Sequence, residues 1–387
     1  MFTLSSTKVF GEEISLGAVL GPTWPVLVIA FVTALIATPI ARKLAFKFQV
    51  LDMPNDTVKI HKKPTAYLGG LAVLAGFIVA VLIGFFYFLK ESPAAGEYRI
   101  ILAICGGAIL AAIVGLVDDI KDLRPWQKLL GQAVCSLFLM LGNVRPDPTP
   151  IFKALHVQVS PEVTSVLSYL IILFFVLGAT NSLNLLDGLD GLCTGVTAII
   201  TIGFLFLEIH LATWATDPEI DPIRMIVAMA LVGSALGFLI FNRHPAKIFL
   251  GDAGSILLGF IIAAMMMLFS GQNIRWWLAS IVIFGLPILD TGTALIRRAL
   301  NHRPLFVSDR GHIYDQMIDR GMSLRKTVVV NYLLAGMYAV VGILSAIFLH
   351  TRQAIFFDLM ILILSFVIVG WKGYFRMSGC RGAIKKK

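Results

Sequence analysis

Apolar runs long enough to cross a bilayer recur along nearly the whole chain, and they constrain the fold more than any other feature. About 20 apolar residues in a helix span a hydrocarbon core of roughly 30 Å. Eleven runs approach that length, at residues 24–41, 68–89, 100–117, 127–142, 164–180, 193–211, 224–241, 254–270, 276–299, 327–349 and 353–371. Backbone groups in lipid must bond within their own segment, so each run is expected to be a helix. Pro39, Gly237 and Pro287 fall inside runs, which membrane helices tolerate. The soluble alternative fails on composition. Of 387 residues, 58% are hydrophobic and 14% are charged, against about 25% charged in soluble domains. The expected fold is an all-α integral membrane bundle of about eleven transmembrane helices. No repeat, low-complexity tract or linker is evident, so residues 1–387 read as a single transmembrane domain. The first run begins near Trp24 without a basic stretch or cleavage site before it, and so reads as a span rather than a cleavable signal peptide.

The net charge is +9, but its distribution is what matters. Lys and Arg are scattered over short segments between apolar runs, which excludes nucleic-acid binding as a reading. The run Lys385, Lys386, Lys387 reads as a solvated tail near anionic headgroups. With the N-terminus outside, about three quarters of the Lys and Arg residues fall on inside segments. That bias places the C-terminus and residues 42–67, 118–126, 181–192, 242–253 and 300–326 in the cytoplasm, where the chemistry is expected. Four cysteines lack CxxC spacing, and three lie within or beside apolar runs. They read as small hydrophobes rather than as a disulfide framework or a metal site.

The inside segments hold an unusual set of polar residues. Asp118 and Asp119 close the third run. Adjacent carboxylates at a membrane boundary repel, and a cation or a shared proton relieves them, unless both simply face water. Asn181, Asn184, Asp187 and Asp190 recur at every third position, a spacing that aligns neighbours on one helical stripe. The stripe has amides and carboxylates without Lys or Glu, and the glycines beside it let backbone approach a ligand. Residues 242–255 carry Asn242 and Phe249, then Gly251, Asp252 and Ser255, in a turn opening onto a helix, where Asp252 or Ser255 could cap and free N–H groups favour anions. Asp290 sits in an apolar run, as a functional residue or a hydrogen-bonded structural one. His312 beside Arg310 suits a polyanion, or is merely solvated. These carboxylates are hard oxygen ligands that select Mg²⁺ or Mn²⁺ over zinc. Lys62, Lys63, Lys128 and Arg310 suit phosphates.

Taken in order, His61-Lys62-Lys63-Pro64 leading to Gly69-Gly70, then Val117-Asp118-Asp119, then residues 181–191, then residues 249–255, resemble the polyprenyl-phosphate N-acetylhexosamine-1-phosphate transferases. The resemblance covers roughly residues 61–323. It implies transfer of a sugar 1-phosphate from a UDP-sugar to a polyprenyl phosphate, with release of UMP, in the inner (plasma) membrane. Asp252 would bind Mg²⁺. Asp118 would be the base toward the lipid phosphate, with Asp119 beside it. Asn184 and Asp187 would line the diphosphate and ribose, and Asp118, Asp119, Asp187 and His312 make up the catalytic set. Asp190 and Phe249 would hold the uracil, with Lys62 nearby, and Asn242 joins the substrate-binding residues. Lys128 would neutralise phosphate, and His312 with Arg310 would meet the donor's phosphates or sugar. Transfer in one step and transfer through an aspartyl-phosphate both fit these residues. Homodimer formation is compatible with the resemblance.

The muramoyl-pentapeptide branch carries adjacent histidines in its last long loop. Here the residues are His312-Ile313-Tyr314-Asp315, and Asp309-Arg310-x-His312 looks more like the N-acetylglucosamine branch. That branch often has His-x-His-His, so Tyr314 and Asp315 leave the sugar open. Two rivals stand beside this reading: a phospho-N-acetylmuramoyl-pentapeptide transferase, and an ion-coupled secondary transporter. A transporter tends to hold its acids at the midplane of an internal repeat, and neither feature is present in the sequence.

Overall fold

The computed structural model describes residues 8–9, 12–13, 23–53, 64–149, 158–214, 220–271, 274–304 and 311–376. Each apolar run is helical. The helices are α1 (Trp24–Lys47), α2 (Gly69–Ile83), α3 (Tyr98–Lys121), α4 (Pro125–Leu141), α5 (Pro161–Leu186), α6 (Leu192–Trp214), α7 (Asp221–Asn242), α8 (Gly251–Ser270), α9 (Ile274–Ile283), α10 (Gly285–Leu300), α11 (Ile313–Asp319), α12 (Leu324–Phe348) and α13 (Thr351–Trp371). Sheet among the described residues is confined to two antiparallel two-residue pairs, β1 (Lys8–Val9) with β2 (Glu12–Glu13) and β3 (Leu51–Asp52) with β4 (Thr65–Ala66).

Nine described helices are long and apolar enough to cross a membrane, and the bent pair α9 and α10 makes a tenth. The run at 127–142 is α4, which at 17 residues is slightly short of a full crossing. The run at 276–299 is not one straight helix. It breaks at Phe284 and bends by 66°. Pro287 has no N–H for the Ile283 carbonyl, and Gly285 lies so close to Tyr338 that a Cβ there would sit 2.5 Å from its ring. The segments between the runs are also more helical than expected. α1 continues to Lys47, α3 includes Asp118 and Asp119, α5 reaches Leu186, and α11 lies within 300–326.

The bundle is built around α8, whose apolar window is 94% buried, whereas that of α13 is 17% buried. Without a water-driven hydrophobic effect between them, membrane helices associate through close backbone packing at small residues. α1 shows how. Ala30, Ala34, Thr38, Ala41 and Ala45 form its buried stripe. Gly233 and Gly237 of α7 approach the Leu27 and Phe31 carbonyls so closely that a Cβ would sit 2.3 and 2.5 Å from them. The opposite sides of the outer helices carry exposed Ile36, Phe174, Leu333 and Ile363, the side chains expected against acyl chains. Cys105, Cys135 and Cys193 are buried and unpaired, as small hydrophobes would be; Cys380 lies outside the described residues.

Candidate active site

Four helix ends meet at one face of the bundle. α3 finishes with Asp122 in a left-handed conformation (φ 51°), and Pro125 starts α4 two residues after Leu123. This tight reversal sets Lys128, in the first turns of α4, against Asp118, in the last turn of α3. Lys128 Nζ lies 2.7 Å from Asp118 Oδ2 and 2.6 Å from Asp252 Oδ2, and it donates to Asn184 Oδ1 at 3.0 Å. Asn184, at the end of α5, donates through Nδ2 to Asp252 Oδ1 (2.7 Å) and to Ser255 Oγ (2.9 Å). Asp118 Oδ1 accepts from the Leu123 N–H at 2.9 Å. One ammonium thus gathers an oxygen from each of three helices, α3, α5 and α8.

Asp119 points the other way. Its two oxygens accept from the backbone N–H groups of Asp252 (2.8 Å) and Ala253 (3.0 Å). The start of α8 was expected to be capped by its own Asp252 or Ser255; it is capped instead by a carboxylate from α3, which leaves Asp252 to face the cluster. A negative charge at a helix N-terminus is stabilising. The approach needs glycine. Gly251 has φ +74°, and a Cβ there would meet Asp119 Oδ2 at 2.8 Å. A Cβ on Gly115 would lie 2.2 Å from the Asp252 carbonyl oxygen, and one on Gly70 2.2 Å from Gly254 N.

The segment before α2 closes the site from the side. Ala66 pairs with Ile248 in a short parallel bridge. Phe249 N–H donates to the Ala66 carbonyl, and the N–H groups of Gly69 and Gly70 donate to the carbonyls of Phe249 and Leu250. Two motifs far apart in sequence are therefore stitched together by backbone. The half-buried Phe249 ring meets Tyr67 edge-on, with centroids 6.3 Å apart. Burial, and then the nearby charges of Asp252, Asp119 and Asp187, hold the Tyr67 phenol well above its usual range, so it stays a donor. Asp187 caps the C-terminus of α5. Loss of solvent, followed by the charges of Asp252, Asp119 and Asp190, pushes its carboxyl well above the ordinary value.

Other expected residues are placed differently. Asp190 accepts from His244 Nδ1 (2.8 Å) and the Ala246 N–H (3.0 Å), bracing residues 244–246. Asn242 was read as a substrate contact, but it is 2% exposed. Its Oδ1 accepts from Thr194 and its Nδ2 donates to the Ile248 carbonyl, so it holds the loop from within. Asn181 donates to Gln132 Oε1 at 2.7 Å and ties α5 to α4. His312 is buried, with Nδ1 2.7 Å from Asp290 Oδ2 and its ring stacked on Tyr314. Lys62 and Arg310 lie outside the described residues. Reading by sequence missed Tyr67 and His244. Both stand inside segments already singled out, but no spacing rule separates an aromatic or a histidine that faces a site from one that does not.

No group of three or more His, Cys, Asp or Glu side chains among the described residues forms a metal cage. The oxygens converging on Lys128 suit a different mode, in which Mg²⁺ takes one or two carboxylates and completes its shell with water and substrate phosphate. Asp119 and Asp252 lie in the field of both Asp118 and Asp187, and a divalent cation bound there would relieve the mutual repulsion of these carboxyl groups.

A membrane-embedded helical bundle with carboxylates, an amide and an ammonium gathered at its helix ends is the class this fold and site define. Residues 101–270 match the family described as glycosyl transferase family 4. The chain is 32% identical over 320 residues to a probable undecaprenyl-phosphate N-acetylglucosaminyl 1-phosphate transferase of Bacillus subtilis, covering 82% of this chain and 83% of that one. It is 29% identical over 343 residues to the decaprenyl-phosphate N-acetylglucosaminephosphotransferase of Mycobacterium tuberculosis, covering 82% and 80%. A phospho-N-acetylmuramoyl-pentapeptide-transferase of Desulforamulus reducens is 29% identical over 340 residues, covering 84% of this chain and 95% of that one. The chain belongs to this family of polyprenyl-phosphate sugar-1-phosphate transferases, and is a multi-pass membrane phospho-sugar transferase.

Proposed function

We propose that this enzyme transfers N-acetylglucosamine 1-phosphate from UDP-GlcNAc to undecaprenyl phosphate, with Mg²⁺ and release of UMP, at the cytoplasmic face of the plasma membrane. The observation that carries the reading is the convergence of Asp118, Asn184 and Asp252 on the Lys128 ammonium. An oxygen of the lipid phosphate attacks the phosphorus that bears the sugar, and the bond from that phosphorus to the UMP oxygen breaks. Both reactants are anionic, so neutralisation and alignment are the main requirements. Asp252, with the Asn184 amide oxygen, would hold Mg²⁺. When bound, Mg²⁺ supplies positive charge to the diphosphate oxygens. Lys128 is placed to move between the carboxylates and a phosphate. Asp118, fixed by the Leu123 N–H, is the base toward the acceptor. That demand is slight, because a phosphate monoester has its second pKa near 6. Phe249 and Tyr67 offer the aromatic surface for the uracil.

The choice of N-acetylglucosamine is supported by the printed activities of the Bacillus subtilis and Mycobacterium tuberculosis relatives, and by a single His312 where adjacent histidines mark the other branch. A competition between UDP-GlcNAc and UDP-N-acetylmuramoyl-pentapeptide, with the lipid product identified by mass, tests it. The expected product carries N-acetylglucosamine. A muramoyl-pentapeptide product would keep the reaction and replace the donor.

A further inference from the structure

Asp290 belongs to none of the contacts described so far around Lys128, yet it is among the most buried charged residues, at 1% exposure, in the middle of α10. Both of its oxygens are used. Oδ2 lies 2.7 Å from His312 Nδ1, and Oδ1 accepts from the Ile313 N–H at 2.6 Å. A carboxylate offers acceptors alone, so the contact with Nδ1 requires a proton on that nitrogen. His312 is itself 4% exposed and heads α11. Its ring is parallel to Tyr314, with centroids 5.6 Å apart and planes at 9°. The Tyr314 hydroxyl donates to the Leu185 carbonyl at 3.0 Å, and a Cβ at Gly188 would sit 2.1 Å from that hydroxyl oxygen. Leu185 is the residue after Asn184, and Gly188 the residue after Asp187. The whole assembly is therefore seated on the end of α5 that carries the site.

We propose that Asp290 is a positioning residue. It holds His312 in the tautomer protonated at Nδ1 and in one ring orientation, against the end of α5 that carries the site. The inference rests on the transferase reading for its purpose but not for its geometry. An Asn at 290 is nearly isosteric and shows the logic. Its single oxygen cannot accept from both His312 and Ile313, and its amide N–H₂ turned toward Nδ1 would favour the tautomer protonated at Nε2 instead.

The test has two arms. In the first, kcat and KM for UDP-GlcNAc are measured for wild type, Asp290→Asn, His312→Gln and the double variant. Asp290→Asn is expected to lower kcat on the order of 10²-fold with KM little changed, and to cost almost nothing further in the His312→Gln background, because residues acting as one unit are not additive. Independent, multiplicative losses would overturn the proposal. In the second arm, ¹⁵N NMR of histidine-labelled protein, with His312→Gln supplying the assignment, reads the tautomer without any turnover. The expected wild-type signal has Nδ1 protonated, changing in Asp290→Asn. An unchanged His312 tautomer in that variant would sink the proposal even with transfer intact. A wild-type enzyme that transfers nothing but shows the expected tautomer change would retire the transferase reading and leave the pairing standing.

Discussion

At the scale of single residues, the site is a balance of charges held by backbone. Asp118 and Asp252 share Lys128, while Asp119 uses both oxygens on the start of α8. The paired Asp118 and Asp119 were legible as a motif, but their opposite directions were not. They differ by about 100° around the helix, so one turns to α4 and the other to a partner 133 residues away. Asp187 gives the clearest test of this electrostatic picture. Its carboxyl is held well above the ordinary range by burial and by its acidic neighbours. The folded protein therefore binds a proton that the unfolded chain releases above about pH 3.9. Stability from this residue is fully present at low pH and is lost as pH rises toward the folded value. Asp187→Asn, which is neutral at every pH, is expected to raise the thermal midpoint of the ligand-free protein at pH 8. The gain should shrink toward pH 4. A gap that does not change with pH would contradict the assignment.

At the scale of elements, the site depends on how closely helices can approach. α3 and α8 touch where Gly115 faces the carbonyl of Asp252, and a methyl group there would lie 2.2 Å from that oxygen. Overpacking a core typically costs about 1–3 kcal/mol. Gly115→Ala should therefore lower the thermal midpoint by several degrees and impair transfer, because backbone rather than a flexible side chain must yield. Full activity in that variant would mean that α8 can shift without moving Asp252. The helices themselves were plain in the sequence, since lipid leaves an apolar run no other structure. The break between α9 and α10 was not, because Gly and Pro within a membrane run predict tolerance rather than a bend; the contact of Gly285 with Tyr338 is tertiary information. The same holds for Asn242. A polar residue at a helix end looks like a ligand contact until Thr194 and Ile248 are seen to occupy its amide.

At the scale of the whole molecule, every helix end that supplies the cluster lies on one face of the bundle, reached by the ends of α3 and α5 and the starts of α4 and α8. The proposed orientation, which rests on the Lys and Arg bias, puts that face in the cytoplasm. Single cysteines at Arg243 and Lys90, in a background without the native ones, should separate by side. The first should react with a membrane-impermeant maleimide only after spheroplasts are opened, and the second beforehand. Reversed labelling would invert the orientation. The four family motifs were legible in sequence order, but their meeting was not. Residues 65–67 reach 248–249 through a single bridge and a few backbone hydrogen bonds, and no pattern within either segment announces the other.

The most direct test of the central claim is nucleotide release by the purified enzyme given UDP-GlcNAc, undecaprenyl phosphate and Mg²⁺, alongside Asp252→Ala. The account predicts UMP, released only when both lipid and Mg²⁺ are present, and none from the variant although it inserts and folds. Release of UDP instead of UMP, or undiminished UMP release by Asp252→Ala, would contradict it.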